Sequence, residues 1–457
     1  MDNLLASFRD PAGFVFTVGG IYYRQINQVY KATFEHFISS GLYQNLVDDN
    51  LIISFEEESI NLSRNKLNFY KTIRPKQLKT ITYSYEWSFS MLKDAALLTL
   101  KINQIALQHG MILKDANAYN VQFLDGKPIF IDTLSFEIYK HCNTWQAYRQ
   151  FCEHFLAPLA LMSQTEISLN KLLITHPGGI SLELATKLLP FRSRLNLGLY
   201  LHIFLHARLG EKNKGKKQVK EKKHLINNLN QILENLGNTI KDLHIKHTKT
   251  NWNNYYEINV SKTYLENKKL FFERFISKTE AKTLVDLGAN DGVFSLIASK
   301  YVNEVISIDA DAFCVEYNYQ TIKKQANDRI LPLVIDIINP SPGIGWENLE
   351  RISFWERVKP DVIMALALIH HLSITNYLPF EYLAAFFAKK AEYLIIEFVP
   401  TEDEKVQILL KNMSRSFEAY SYENFIQTFS QYYKIIEQLT LSPSNRILFL
   451  MQRHEKK

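Results

Sequence analysis

Cysteine is nearly missing from this 457-residue chain: Cys142, Cys152 and Cys314 are the whole set, with no Cys-x-x-Cys pair. An odd, scattered set excludes a disulfide framework and a structural zinc site, and it points to a reducing compartment. Long apolar runs are missing too. The most apolar stretch, Leu195 to Leu209, is broken by Asn196, His202, His206 and Arg208, so it is too short and too polar to span a bilayer. The first residues, Met-Asp-Asn, carry no basic-then-apolar leader. The expectation is a cytoplasmic protein without a transmembrane segment, with peripheral membrane contact left open. Broad positive charge is also lacking. Net charge is +6, but the run from Glu211 to His224 holds seven Lys and two Glu, so +5 sits there and +1 is left for the rest. That excludes an extended nucleic-acid-binding face, and no DNA partner is expected. The run itself reads as a solvated linker, with a phosphate- or membrane-touching patch as the alternative. No internal repeat is found.

What is present is globular: 46% hydrophobic and 22% charged residues, in a length that suits two or three domains. Phe14–Thr17 and Ile21–Gln25 flank Gly19-Gly20 and predict a hairpin over 11–26. Apolar residues at helical spacing predict a long helix over Trp87–His109, stopped by Gly110. Strands are expected at Val121–Leu124 and Pro128–Asp132 around the Asp125-Gly126 turn. Residues 144–210 read as mostly helical, with breaks at Pro158, Pro177-Gly178-Gly179 and Pro190, and a helical pattern resumes over 224–247. After residue 260 strands and helices alternate. Strands are expected at Thr283–Leu287, Glu304–Asp309, Ile330–Ile335, Val362–Leu366, Tyr393–Phe398, Tyr433–Gln438 and Arg446–Gln452, which implies a mostly parallel sheet with helices on both faces. The organisation predicted is an α+β domain over 1–210, a Lys-rich linker and helix over 211–254, and an α/β domain over 255–457.

The decisive segment is Thr283-Leu-Val-Asp-Leu-Gly-Ala-Asn-Asp-Gly-Val-Phe-Ser295. A buried strand runs into Asp286, then a turn in which Gly288 and Gly292 allow close approach of a ligand. Such a turn lies at the carboxyl end of the first strand, where doubly wound sheets bind nucleosides. The second strand ends in Asp309, 23 residues past Asp286, placed to accept bonds from two ribose hydroxyls; the third ends in Asp336, 27 residues further, suited to an adenine amino group. The fourth leads into His370-His371, and the fifth ends in Glu397. This order resembles the class I S-adenosylmethionine-dependent methyltransferases, with Asn290 where that family usually has its middle glycine. The resemblance implies a Rossmann-like seven-stranded domain and S-adenosylmethionine as cofactor. Asp286, Gly288, Asn290 and Gly292 would surround its methionine portion, Asp309 the ribose and Asp336 the adenine.

A hydroxyl acceptor benefits from a base that titrates near neutrality. His370 and His371 are therefore candidate bases, of which one at most is expected to face the acceptor, since neighbouring residues point differently; Glu397 is a further candidate. The plainer alternatives are hydrogen bonding for the histidines and a structural ion pair for Glu397. Asn/Asp-Pro-Pro-Tyr is absent, and Cys314 is not placed for base methylation, so a saccharide or other small polar acceptor is favoured over DNA.

The first domain carries a second signature: Asp115, four residues, Asn120, a strand, a turn, a strand, and Asp132. This resembles the catalytic loop and metal-binding aspartate of kinase-like folds. The resemblance implies that Asp115 orients an acceptor hydroxyl while Asn120 and Asp132 hold magnesium at ATP phosphates. Lys114 stands before Asp115 where protein kinases have arginine, and Phe16-Thr-Val-Gly-Gly20 is a poor Gly-rich loop, so the fold is expected to serve substrate handling or scaffolding. An Mg-ATP-dependent phosphotransferase or regulator is the alternative function. Tyr83-Ser-Tyr-Glu-Trp-Ser-Phe89, Ile131-Asp-Thr-Leu-Ser-Phe-Glu137 and Tyr148-Arg-Gln-Phe-Cys-Glu-His-Phe155 extend the likeness over most of the chain. They resemble a bacterial set of two-part methyltransferases related to a rhizobial nodulation protein, which implies a glycan acceptor.

Overall fold

A computed structural model describes residues 2–59, 61–62, 68–140, 145–213, 226–245, 262–411 and 419–455. Cys142 and most of the Lys-rich run lie outside the described residues. The chain divides into two compact units: unit 1 comprises Met1–His247 and Pro342–Ser353, and unit 2 comprises Thr248–Ser341 and Phe354–Lys457. Nothing in the sequence marks the 342–353 excursion.

Unit 1 opens with strands β1 (Asp2–Asn3), β2 (Gly13–Val18), β3 (Ile21–Asn27), β4 (Phe55–Glu58) and β5 (Phe69–Pro75), in an antiparallel sheet of order β1-β2-β3-β5-β4. The β2–β3 hairpin turns on Gly19 and Gly20, both left-handed, as Gly-Gly between β-rich runs requires. The long helix covers Phe89–Gln108. Ser88 caps its start by accepting from the Met91 N–H, and Gly110 at φ +70 ends it. Next come β6 (Met111–Leu113), β7 (Val121–Leu124), β8 (Lys127–Phe130) and β9 (Phe136–Ile138), paired as β6·β9 and β7·β8. The region from Tyr148 to Asn213 is helical in short pieces. Trp87, Phe37, Phe130, Phe136, Phe151 and Phe155 are fully buried and fill the core.

Unit 2 contains β10 (Thr283–Leu287), β11 (Glu304–Asp309), β12 (Ile330–Val334), β13 (Val362–Ala365), β14 (Tyr393–Phe398), β15 (Tyr433–Thr440) and β16 (Ile447–Arg453). They form one seven-stranded sheet of order β12-β11-β10-β13-β14-β16-β15. Strands β10 to β14 are parallel and β16 runs antiparallel to both its neighbours. The parallel strands read as continuous apolar runs because helices cover both faces. β15 is exposed at alternate positions, Lys434, Ile436, Gln438 and Thr440, as an edge strand with one wet face should be. The order reverses between β10 and β13, and a crevice opens at such a point beside the carboxyl ends of the strands.

Candidate active site at the strand tips of unit 2

Three carboxylates stand on three adjacent strand tips. Asp286 lies across from Ser307 in the β10–β11 register. Asp309 ends β11, and the Ile335 N–H donates to its carbonyl at 2.9 Å, which sets Asp336 one residue beyond. The Ala289 N–H donates to the Ile308 carbonyl at 3.0 Å and folds the turn back over the tip of β11. Within that turn Gly288, Asn290 and Gly292 all have positive φ, at 68°, 53° and 83°. A Cβ at Gly292 would meet the Asn318 side chain at 2.4 Å, and Asn318 is held by its bond to Ser307 Oγ, so a side chain there would have to displace it. Asn290 suits its place in the turn, since Asn is among the non-glycine residues that enter the left-handed region most readily.

The carboxylates are held mainly by neutral donors. Ser295 Oγ donates to Asp286 at 2.6 Å. Burial pushes the Asp286 carboxyl up to about 7; the Ser295 bond opposes this, the Asp309 charge adds to it, and the Lys268 charge opposes it. The N–H groups of Asn290 and Asp311 donate to the two oxygens of Asp309, each at 2.8 Å. Burial still raises the Asp309 carboxyl above its ordinary range. Asp336 accepts from the Ile338 N–H at 2.9 Å and is half-buried.

Past β13 the chain turns through Ala367, at φ 49°, into His370 and a π-turn over His371–Thr375. The two imidazoles do not point apart as the sequence suggested: their ring centres are 4.2 Å from one another. His370 is buried and its Nδ1 has no hydrogen-bond partner among the described residues. Burial, then the neighbouring His371, Arg446 and Lys268, depresses it well below 6.5; burial and Arg446 depress His371 as well. Both rings are thus neutral at neutral pH.

Glu397 is not open to an acceptor. It is fully buried, with Lys268 Nζ 2.6 Å from Oε2, the Tyr264 hydroxyl donating to Oε1 at 2.5 Å, and Arg446 Nη1 at 3.5 Å. Arg446 also binds Asp403 through Nε at 2.8 Å. Burial alone would raise the Glu397 carboxyl; the Lys268 and Arg446 charges outweigh it and hold the group below its usual range. The ion-pair alternative is the one that this geometry matches. Sequence reasoning missed Lys268, Tyr264, Arg446 and Asp403. A signal existed for Lys268: it interrupts the buried stripe Tyr264, Phe272, Phe275, Ile276 of the helix Lys262–Ile276 at four-residue spacing. A lysine in a core stripe requires a buried partner.

In unit 1 the fold also gathers Asp115, Asn120 and Asp132. The Asn120 side chain donates to Ser135 Oγ at 3.0 Å, and that hydroxyl donates to Asp132 at 2.7 Å. Burial and the Asp132 charge raise Asp115, whose oxygens accept from the Asn117 amide at 2.8 and 3.0 Å. The position that the kinase resemblance gives to a metal ion is served differently. Arg24 of β3 sets Nη1 2.6 Å from Asp132 Oδ1, and its Nη2 lies 3.7 Å from Asp10. The Arg351 guanidinium covers the Tyr119 ring at 4.1 Å. Among the described residues no group of three or more His, Cys, Asp or Glu is arranged to hold a metal ion. The phosphotransferase alternative is not favoured.

No family model matches the chain. Among solved structures it is similar to the N-methyltransferase NodS from Bradyrhizobium japonicum WM9, at 12% identity and TM-score 0.32, over 43% of this chain and 99% of that one. It is also similar to the bifunctional kinase-methyltransferase WbdD, at 16% identity and TM-score 0.31, over 42% of this chain and 40% of that one. Likeness at that level carries no function across. The sequence match is of a different order: 31% identity over 462 aligned positions to the nodulation protein NoeA of Rhizobium meliloti (strain 1021), spanning 99% of this chain and 96% of that protein. The chain belongs to the family of NoeA.

Proposed function

We propose that unit 2 is an S-adenosylmethionine-dependent methyltransferase acting on a saccharide or other small polar acceptor. The observation that supports it most is the trio Asp286, Asp309 and Asp336 on consecutive parallel strand tips beneath a left-handed turn. The turn owes its shape to left-handed glycines packed against the chain itself, Gly292 against Asn318 and Gly288 against Leu368, and that shape sets its backbone at the tips of the strands. When bound, the cofactor supplies an electrophilic methyl group on its sulfonium sulfur. Asp309 keeps lone pairs beyond those used by the Asn290 and Asp311 amides, and these suit a pair of ribose hydroxyls. Asp336 suits the adenine amino group, and Asp286 with the 288–292 turn suits the methionine end.

The acceptor side is the β13 tip. His370 is the base in this reading, because its imidazole is neutral and its Nδ1 is unpartnered. It takes the proton that a hydroxyl loses on methylation. Burial first, then His371, and after them Arg446 and Lys268, keep that imidazole neutral. Calorimetric titration of the purified protein with S-adenosylmethionine tests the reading. Saturable binding at one site per chain is expected, and no heat of binding at all would end it.

A further inference from the structure

We propose that unit 1 docks peripherally on an anionic lipid membrane through the surface carrying Phe191, Leu195 and Leu197. The helix Leu182–Leu188 stops before Pro190, and a 3-10 turn follows over Phe191–Leu195. Asn196 then caps a new helical start, its side chain accepting from the Leu199 N–H at 3.0 Å. These breaks leave large apolar side chains outside the core. Phe191 is 75% exposed, Leu195 82% and Leu197 68%, and Leu201, one turn along the same helical face as Leu197, is 37% exposed. Single exposed leucines need no explanation, but four such side chains within eleven residues form a patch that a water-facing surface does not favour.

The charge around the patch selects the occupant. From Leu184 to Gly210 the chain has no Asp or Glu, while Lys187, Arg192, Arg194 and Arg208 are all present and exposed. The Arg194 guanidinium stands 5.2 Å from the ring centres of both Phe191 and Phe204, so its stem covers apolar surface while its charge stays at the water side. Large apolar tips beside exposed basic side chains of the same stretch match the acyl boundary and phosphate layer of an anionic leaflet. Two copies of the same patch would instead bring like charges face to face. No helix among the described residues is long and apolar enough to cross a membrane, so contact would be at the surface alone.

The test is sedimentation of the full chain with vesicles of phosphatidylcholine alone and of phosphatidylcholine mixed with phosphatidylglycerol. Binding to the anionic vesicles only, weakened by added salt, is expected. Phe191→Ser/Leu195→Ser/Leu197→Ser should reduce that binding about tenfold or more. Arg192→Gln/Arg194→Gln should reduce it as well. Both variants should keep the wild-type thermal unfolding temperature, because the altered side chains are exposed. Wild-type protein that ignores anionic vesicles overturns the proposal, and so does undiminished binding by the triple serine variant. So does an ultracentrifuge dimer that the same variant dissolves, since the patch would then be a subunit contact. None of these outcomes bears on S-adenosylmethionine binding, which is read separately.

Discussion

Each unit gathers carboxylates at the ends of strands, and the two sets are neutralised in opposite ways. In unit 1 the chain supplies its own cation: Arg24 sits on Asp132 at 2.6 Å, and Arg351 lies over Tyr119 inside the Asp115–Asn120 loop. In unit 2 Asp286 and Asp309 receive a serine hydroxyl and backbone amides, and the Lys268 charge that reaches Asp286 is engaged with Glu397. A carboxylate paired with an internal arginine has little left to offer a ligand. One held by neutral donors keeps lone pairs for a ligand, while burial disfavours its charged form and raises both Asp286 and Asp309. A similar pattern of acids in the sequence therefore builds an arginine-paired node in one place and, in the function proposed, a ligand site in the other.

The largest effect should come from the deepest ion pair. Lys268→Met leaves Glu397 buried beside Tyr264 with only Arg446 for countercharge, and it should cost about 3–5 kcal/mol of stability by urea unfolding. Lys268→Met/Glu397→Gln removes both charges and should recover part of that loss. Equal losses in the single and double variants would mean that the pair is not coupled as the 2.6 Å contact requires.

Asp286 should act with the opposite sign. Its carboxyl titrates at about 7 when folded, against an ordinary value of 3.8, so the folded state resists losing this proton. Between those two values the unfolded chain binds fewer protons than the folded one, and this group's contribution to stability falls as pH rises. Asp286→Asn should thus stabilise the protein by a few kcal/mol above pH ~8 and hardly at all below pH ~4. The same variant should weaken S-adenosylmethionine binding, the mark of a group kept for function at a cost in stability. A gain independent of pH would remove the carboxyl's proposed state.

Asp309 sharpens the contrast with unit 1. Asp309→Ala should weaken S-adenosylmethionine by about tenfold to a hundredfold, the worth of a charged hydrogen-bond acceptor. Asp309→Asn keeps an oxygen for the turn amides and should fall between. Unaltered affinity in both, measured by calorimetry, would defeat the ribose assignment.

Much of unit 2 was legible because its signals are local. Apolar runs ending in Asp286, Asp309 and Asp336 give strands and tips together, and strand ends moved by only a residue or two: β12 closes at Val334 and β16 opens at Ile447. Glycines at 288 and 292 announce the turn by themselves. What stayed hidden is pairing over long separations. Glu397 looked available because nothing near it in sequence neutralises it; its partners come from residues 264, 268 and 446. Arg24 and Asp132 are likewise 108 positions apart. The inward turn of both histidines follows from the left-handed Ala367 and the π-turn after it, features that no side-chain pattern encodes.

The smallest expected effect is a null, and it decides whether Arg24 really closes the unit 1 site. A magnesium ion at ATP phosphates would need Asp132 as a ligand, and Arg24 must leave before it can serve. Breaking a short, largely buried guanidinium–carboxylate pair is unfavourable unless the incoming cation repays it, and Asn120 is turned to Ser135 rather than held free. Mg-ATP should therefore leave the unfolding temperature unchanged, while S-adenosylmethionine raises it. Asp132→Asn should leave S-adenosylmethionine affinity within about twofold of wild type. Should Mg-ATP stabilise the protein, with the effect lost in Asp132→Asn and enlarged in Arg24→Ala, the arginine would be a gate over a working nucleotide site, and the distinction between the two carboxylate sets would be one of state instead of construction.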